Sequence, residues 1–394
     1  EIIEGYVRKK NTMIKPVVVS SGPCKENIHI GEEVDLFEFP TPILHEGDGG
    51  RYIGTWHAVV TKDPDSEWVN WGMYRIMIHD KTTMGGLFNP SQHNGMIFYH
   101  KYEARGNIME FAAVIGTEPV NPLISATFIA AGVNEVDVIG GIRGEPVELV
   151  KCETVDLYVP STSEIVIEGV VHPHERKDEG PFGEYTGYRT AERAPRPIYR
   201  VKAITHRNDP ILPTSCMGVP VDDSAGFMPF FTAGEILDDL RKANLPVRMV
   251  YSPPYGVTHI VFVSTKVPYA NYPRYLANAI WGSRAGLHTW FLVIVEDDVD
   301  VTNLNEVIWA LTTRCHPDKG IHKVPNAPAH PLLPFLSPYE RRYNLGAQVF
   351  FDCTWPKDWP PETIPVKSSF DVLWPKEIQE KVLANWEQYG YKAE

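Results

Sequence analysis

The chain has 394 residues, enough for two or three units with their own cores. Hydrophobic residues make up 43% and charged residues 22%, the balance of an ordinary globular protein. With 37 Lys and Arg against 50 Asp and Glu, the formal net charge is −13, which argues against nucleic acid or an anionic membrane surface as a partner.

No apolar run is long enough to span a bilayer. The opening Glu1-Ile-Ile-Glu lacks the basic start and apolar stretch of a secretory leader, so none is expected. Five cysteines, at 24, 152, 216, 315 and 353, form no C-x-x-C pair, and this odd, scattered set predicts buried thiols and a cytoplasmic location.

In chain order, residues 1–45 read as an extended lead-in with one short strand. From Arg51 to about Ile211 the chain is β-rich. Tyr52–Thr61, Trp71–His79, Phe111–Ile115, Glu148–Cys152, Glu164–Val171 and Ile198–His206 alternate or run apolar, separated by Gly, Pro, Asp and Asn. Strands at that spacing predict a barrel or sandwich. His100–Arg105 reads as part of a helix.

After Cys216 strands and helices alternate, which predicts an α/β unit with partly parallel strands. Ala233–Ala243, Asn271–Trp281 and Asn305–Arg314 are the predicted helices, and Thr258–Ser264 and Leu292–Val295 the strands. Residues 323–375 are Pro-rich and read as irregular. Glu377–Tyr389 has the apolar spacing of a last amphipathic helix, suited to packing on a partner subunit.

The stretch with the strongest chemical signature is Asp178-Glu-Gly-Pro-Phe-Gly-Glu-Tyr-Thr-Gly-Tyr188. Gly180, Pro181 and Gly183 forbid a regular helix, so the chain turns and holds Glu179 and Glu184 on a tight loop. Paired carboxylates on a rigid turn suit acid–base work, since one can carry a proton while the other stays ionised. The competing reading, a solvated acidic turn, is weakened by the interleaved Phe182, Tyr185 and Tyr188.

Upstream, Val69-Asn-Trp-Gly-Met-Tyr-Arg75 puts Asn70 and Arg75 at a strand entrance, where an Arg beside aromatic residues can clamp a carboxylate. His93 falls in a polar turn and Glu135 follows Gly132. Asn oxygen, imidazole and carboxylate together suit Mn²⁺ or Mg²⁺ better than structural Zn²⁺. Spacing alone does not single them out, and His57, His100, His172 and His174 compete as ligands. Glu296-Asp-Asp-Val-Asp300 is best read as a strand-end turn with helix N-terminal charges rather than a cation site. Dinucleotide, P-loop and nucleophile-elbow signatures do not occur.

Taken together, these stretches resemble the UbiD family of reversible decarboxylases that use prenylated FMN. The resemblance rests on Asn70-Trp-Gly-Met-Tyr-Arg75, Gln92-His93, Glu135, Gly144–Thr154, Glu164–Gly169, Glu179-Gly-Pro-Phe-Gly-Glu184, Glu296–Asp300 and Trp309–Arg314. It implies an α+β or α/β fold in which a split β-barrel cofactor domain precedes an α/β oligomerisation domain. The implied division is a lead-in at 1–21, the barrel at 22–215, the α/β unit at 216–322, and a Pro-rich arm with terminal helix at 323–394. The family's further N-terminal α/β portion has no counterpart here, so a fragment or cleaved subunit is expected.

By resemblance, Asn70, His93 and Glu135 hold Mn²⁺ (or Mg²⁺) against the cofactor phosphate, with K⁺ near Trp71 and Ser125. Arg75, Glu179 and Glu184 form the catalytic network. Trp71, Gly72, Met73, Arg75, Gln92, His93, Ser125, Ala126, Thr127 and Glu135 wrap the flavin. The family's Lys before the acidic cluster is missing: the segment reads His288-Thr-Trp-Phe-Leu, and Lys266 cannot be assigned its role.

The implied reaction is reversible decarboxylation of an aromatic, heteroaromatic or α,β-unsaturated acid. Its partners are the small carboxylic acid, CO₂, a flavin prenyltransferase as cofactor supplier, and further copies in a homodimer or larger homo-oligomer. A net carboxylase and an inactive cofactor-binding or assembly subunit are the alternatives. The loop Cys216–Phe227, with Asp222 and Asp223, is expected to shape the substrate pocket.

Overall fold

A computed structural model describes residues 1–392. The first residues are not an extended lead-in: helix α1 (Ile2–Lys10) buries Ile3, Tyr6 and Val7. It is followed by β1 (Val17–Val18), β2 (Asn27–Ile30), β3 (Tyr52–Gly54), β4 (His57–Lys62), β5 (Val69–Gly72), β6 (Ile76–Ile78) and β7 (Thr83–Gly86). Helix α2 (His93–Ile97), strand β8 (Met109–Ile115), and helices α3 (Val120–Ser125) and α4 (Glu135–Arg143) come next. Four more strands complete the first half: β9 (Glu148–Lys151), β10 (Tyr158–Pro160), β11 (Ile165–Glu179) and β12 (Ala194–His206).

The large sheet runs β3-β6-β7-β12-β11-β8-β4-β5, with β2 added on β12. β3 and β6 lie at one end of this order and β4 and β5 at the other. Yet only Thr55 and Trp56 link β3 to β4, and only Met73, Tyr74 and Arg75 link β5 to β6. Two or three residues reach about 10 Å at most. The two ends of the sheet must therefore lie side by side, and the sheet curls into a barrel with an open seam. The two predicted strands Tyr52–Thr61 and Trp71–His79 are each broken in two at this seam.

Alternation along the strands fills two cores. Met109, Phe111, Ala113 and Ile115 of β8 point into the barrel with Val59, Ile165, Ile167 and Tyr199. Ala112 and Val114 of the same strand point outward, with Ala58, Val60 and Val166, against α3, α4 and the β9–β10 pair. β8 is thus buried on both faces.

The second sheet is β13 (Val247–Tyr251), β14 (Ile260–Thr265), β15 (Phe291–Glu296), β17 (Leu345–Cys353) and β16 (Ile321–Pro328), in that order. β14, β15 and β17 are parallel, and β13 and β16 are antiparallel edges. Helices α5 (Met228–Lys242) and α6 (Tyr272–Gly282) cover one face, where Ile236, Leu240, Leu276 and Ile280 meet Val261, Val263, Leu292 and Ile294. Helix α7 (Leu304–Arg314) covers the other with Val307 and Ala310.

Residues 323–375 are therefore not simply irregular, because β16 and β17 complete this sheet. Their prolines fit since β16 is an edge strand, where a missing N–H costs no ladder bond. Helix α8 (Pro338–Tyr343) lies between β16 and β17, and α9 (Phe370–Leu373) and α10 (Lys376–Ala384) follow β17, so the predicted helix Glu377–Tyr389 ends as α10 at Ala384 and a 3₁₀ turn follows. The acidic cluster is a strand-end turn: Arg314 pairs with Asp298 at 2.7 Å, and Asp300 accepts from Thr302 N and Oγ1.

Candidate active site at the barrel seam

The seam opens into a cavity of about 1190 Å³, counting its solvent mouth, walled by both halves of the chain. Asn70, Trp71 and Gly72 reach it from β5, and Met73 and Arg75 from the β5–β6 link. Gln92 and His93 come from the start of α2, Ser125, Ala126 and Thr127 from the end of α3, and Glu135 from the first residue of α4. The second half contributes Phe227, Met228, Arg284, His288, His330 and Leu332. The halves are pinned together here: Arg284 Nη1 donates to Ser91 O at 2.7 Å, Tyr185 Oη lies 3.1 Å from His259 Nε2, and Arg341 Nη1 donates to Thr190 O at 2.8 Å.

Arg75 is the hub of a buried ion cluster. Its Nε and Nη2 donate to the two oxygens of Glu179 at 2.9 and 2.8 Å, and its Nη1 contacts Glu184. Glu179 also accepts from Tyr52 Oη at 2.9 Å, and the Phe182 ring lies 5.5 Å from the guanidinium.

Glu179 is not on the loop. It is the last residue of β11, fully buried behind Arg75, while Glu184 lies on the cavity wall. The turn between them begins at Gly180, whose φ of +87° suits glycine. A second loop braces it: Gly49 N donates to Pro181 O at 2.7 Å and Gly183 N to Asp48 Oδ1 at 3.0 Å. Arg75 thus faces both carboxylates.

Opposite the ion cluster, three buried acceptor or donor atoms have no partner: Asn70 Oδ1, His93 Nε2 and Ser125 Oγ. Asn70 Nδ2 donates to Tyr74 Oη at 3.3 Å, which turns its oxygen toward the cavity. Glu135 Oε2 accepts from Trp71 N at 2.9 Å, and its Oε1 lies 3.8 Å from His93 Nδ1. Burial pushes the Glu135 carboxyl above the usual carboxylate range.

Orphaned oxygen and imidazole nitrogen beside a buried carboxylate are the donors that a hard divalent cation satisfies, so these residues fit one. His93 is not in a turn but buried at the start of α2. Of its rivals, His57 is buried with Nε2 donating to Tyr74 O at 3.0 Å, and burial pushes it down to about 4. His172 and His174 lie on β11, and His100 beyond α2; none of the three lines the cavity.

Several cavity residues carry no signature in the sequence. Arg284 is half-buried with its Nε buried and unpartnered, and burial pushes its guanidinium down from its ordinary value. His288 stacks on Phe128 at 4.5 Å, with Nε2 unpartnered, and burial holds it well below its usual range. His330 is pushed down to about 4 for the same reason. These side chains join the site only because the second half folds over the seam; the one available signal was the singular His288-Thr-Trp segment. Trp290 itself is buried and donates Nε1 to Pro328 O at 3.1 Å, so no cation stands at that position.

From the Cys216–Phe227 loop, Met217, Ser224 and Phe227 reach the cavity. Asp222 instead staples the loop by accepting from Gly218 N, Ala225 N and Ser224 Oγ.

Residues 15–220 match the family model of the 3-octaprenyl-4-hydroxybenzoate carboxy-lyase Rift-related domain, and residues 226–353 match the C-terminal domain of the same carboxy-lyases. The chain is 33% identical to the pyrrole-2-carboxylic acid decarboxylase of Pseudomonas aeruginosa, over 96% of this chain and 78% of that one. It is likewise 33% identical to ferulic acid decarboxylase 1 of Saccharomyces cerevisiae, over 100% of this chain and 81% of the relative. Among solved structures, it superposes on the vanillic acid decarboxylase of Sedimentibacter hydroxybenzoicus in closed form with a TM-score of 0.88 and 30% identity, covering 97% of this chain and 81% of that one. It superposes on the UbiD-class enzyme HmfF of Pelotomaculum thermopropionicum, in complex with FMN, with a TM-score of 0.79 and 30% identity, covering 94% and 81%. A curled barrel sheet and a separate mixed sheet meeting at a cavity, with these matches along both, place the chain in the UbiD family of carboxy-lyases.

Proposed function

We propose that this carboxy-lyase removes CO₂ reversibly from an aromatic, heteroaromatic or α,β-unsaturated acid at Arg75, Glu179 and Glu184, beside a prenylated FMN. The observation that carries the assignment of residues is the buried Arg75 fork, locked on one side by Glu179 and open on the other toward Glu184 and the cavity. Two relatives are named for decarboxylating pyrrole-2-carboxylic and ferulic acids, and a further HmfF structure holds prenylated FMN, which supports the substrate class and the cofactor.

Breaking the C–COO⁻ bond leaves an electron pair on carbon that no side chain can accept; prenylated FMN, when bound, supplies that electron sink. The residues handle the rest. Arg75 exchanges Glu184 for the substrate carboxylate and so aims it by a charge-assisted fork. Glu179, held by two Arg75 bonds and the Tyr52 hydroxyl, keeps the guanidinium from turning. Glu184 makes a single side-chain hydrogen bond, to Arg75, and faces the cavity, so it can turn toward a bound substrate. It delivers the proton that replaces CO₂, and in the carboxylation direction it takes one away. Met217, Phe227 and Leu332 wall off water.

For the cofactor phosphate we assign a Mn²⁺ (or Mg²⁺) to Asn70, His93 and Glu135, with K⁺ near Trp71 and Ser125. Trp71, Gly72, Met73, Gln92, Ala126 and Thr127 form the flavin cradle, and a flavin prenyltransferase supplies the cofactor. We divide the chain near residue 215 into a cofactor unit and an α/β unit that runs on to about residue 353, because β16 and β17 belong to the second sheet. Among the described residues no helix is long and apolar enough to cross a membrane. All five cysteines are free, which fits a reducing compartment, and we infer a cytoplasmic location.

The test is protein produced alongside a flavin prenyltransferase, with the released ligand identified by absorption and mass, then offered cinnamic-type, hydroxybenzoic and pyrrole carboxylic acids. CO₂ release from at least one class, and deuterium from solvent in the product, is the expected result. A loaded protein inert toward all three would overturn the reading.

A further inference from the structure

Away from the cavity, His29 of β2, Glu38 and His206 at the end of β12 bring three ligand atoms within 4.8 Å of one another. His206 Nε2 lies 3.3 Å from His29 Nε2 and 3.4 Å from Glu38 Oε1. Around a tetrahedral ion bonded at about 2.0–2.1 Å, neighbouring donors stand about 3.3–3.4 Å apart. Two of the three edges already have that spacing, and the third lies within 4.8 Å.

A second observation concerns the tautomer. His206 Nδ1 lies 2.8 Å from the Arg207 carbonyl, an oxygen that can only accept, so Nδ1 carries the proton. Its Nε2 is thereby left toward His29 Nε2 and Glu38 Oε1, where a proton can serve only one of the two, whereas a divalent cation would be shared by all three. An Nδ1–H bonded to a backbone carbonyl is also how metal-binding histidines are commonly oriented.

The scaffold is built rather than incidental. β2 pairs with β12 in register from Asn27↔His206 to Ile30↔Ala203, the two rings stack at 5.3 Å, and Phe39 packs edge-on against His206 at 5.6 Å. Side chains of His206 and Glu38 are 13% and 28% exposed, so an ion can enter and water can fill the fourth position.

We propose that His29, Glu38 and His206 form a zinc-type divalent-metal site that ties β2 and the segment after it to β12. It is separate from the Asn70–His93–Glu135 set.

The test uses the full chain, stripped by chelator and flavin-free, with Co²⁺ as a coloured probe and Zn²⁺ as competitor. His93→Ala serves as background, so that the cavity set is silenced. One equivalent of Co²⁺ with the intense visible band of tetrahedral coordination, displaced by Zn²⁺, is expected. Adding His206→Gln should abolish the band, and Glu38→Gln should weaken binding at least tenfold. Circular dichroism checks the fold, and His29→Gln, on the edge strand, is the substitute should His206→Gln unfold. Zn²⁺ should also raise the Tm of the background protein but not of its histidine variants. No tetrahedral Co²⁺ in the background, or equal uptake after loss of either histidine, would overturn the site.

Discussion

Arg75 and Glu184 divide their work by how tightly each is held. Glu179 and Arg75 are locked to each other in a dry setting, so removing the Arg leaves a buried carboxylate without its partner, at a cost of about 3–5 kcal/mol. Arg75→Ala should therefore lower Tm as well as abolish turnover and weaken acid binding. Glu184→Gln keeps shape and hydrogen bonding but not the transferable proton. It should leave Tm and flavin content unchanged and cut turnover by about 10²–10⁴-fold. Solvent deuterium incorporation by equally loaded proteins separates the two, and near-normal exchange in Glu184→Gln would remove it from the donor role.

Arg284 raises a different question at the same scale. The missing Lys implies that cofactor retention leans more on the metal, so that chelation would strip it readily. The half-buried, partly unpartnered Arg284 on the cavity wall offers a second anion anchor, with a charged hydrogen bond contributing about 1.5–3 kcal/mol. Chelated wild-type protein should then keep part of its flavin, and Arg284→Met should lose it, with affinity down about 10–100-fold by fluorescence titration. Complete stripping of the chelated wild type would return the whole burden to the metal.

At the scale of elements, the geometry of the two carboxylates depends on loops that only fit as glycine. A Cβ on Gly49 would stand 1.9 Å from the Gly180 carbonyl oxygen, which is backbone and cannot swing aside. Gly49→Ala must push the Glu179–Glu184 turn away from Arg75. A misplacement near 1 Å costs about 10²-fold in rate, while overpacking costs about 1–3 kcal/mol. The expected outcome is a folded, flavin-loaded protein whose kcat falls far more than its Tm; an unchanged kcat would show that the brace is dispensable.

Elements also explain what could be read in advance. The period-2 runs of β8, β11 and β12 and the helical spacing of α5, α6 and α7 are local signals, and they predicted the two architectures in order. The Gly180-Pro-Phe-Gly183 turn announced the paired acids, and the Asn70–Arg75 run announced its partners. The breaks at Thr55-Trp56 and Met73–Arg75 were not legible, because they arise from two sheet ends meeting across a seam. α1 was missed because its polar face dominates a short segment whose burial is supplied by α5: Lys10 pairs with Glu235 at 2.6 Å and Asp238 at 3.0 Å. Arg284 and His288 were missed because only the docking of the two halves gives them a site.

For the whole molecule, the remaining signal is a surface rather than a cavity. After β17 the chain leaves the second sheet, and its apolar side chains find little cover. Val366, Val372, Leu373, Trp374 and Leu383 are about half exposed or more, and Ile378 and Trp386 are each 37% exposed. Ile378, Val382 and Trp386, the spacing expected to face a partner, stand on this arm. Contiguous exposed aromatic and aliphatic groups of this kind mark association surfaces. One structural relative, an evolved form of HmfF, is dimeric. The arm is anchored where it starts, with Lys367 Nζ 5.4 Å from the Trp309 ring, so it projects from a fixed base. A second copy offering the same arm by two-fold symmetry would bury both. Replacing Leu373 and Trp374 by Asp puts charge where the second copy would sit and touches neither sheet nor cavity. Light scattering coupled to size exclusion should then find the parent as a dimer or larger, and the double variant shifted toward monomer with flavin content unchanged. A parent already monomeric at micromolar concentration, or a variant of unchanged mass, would mean that this surface does not join copies of the chain.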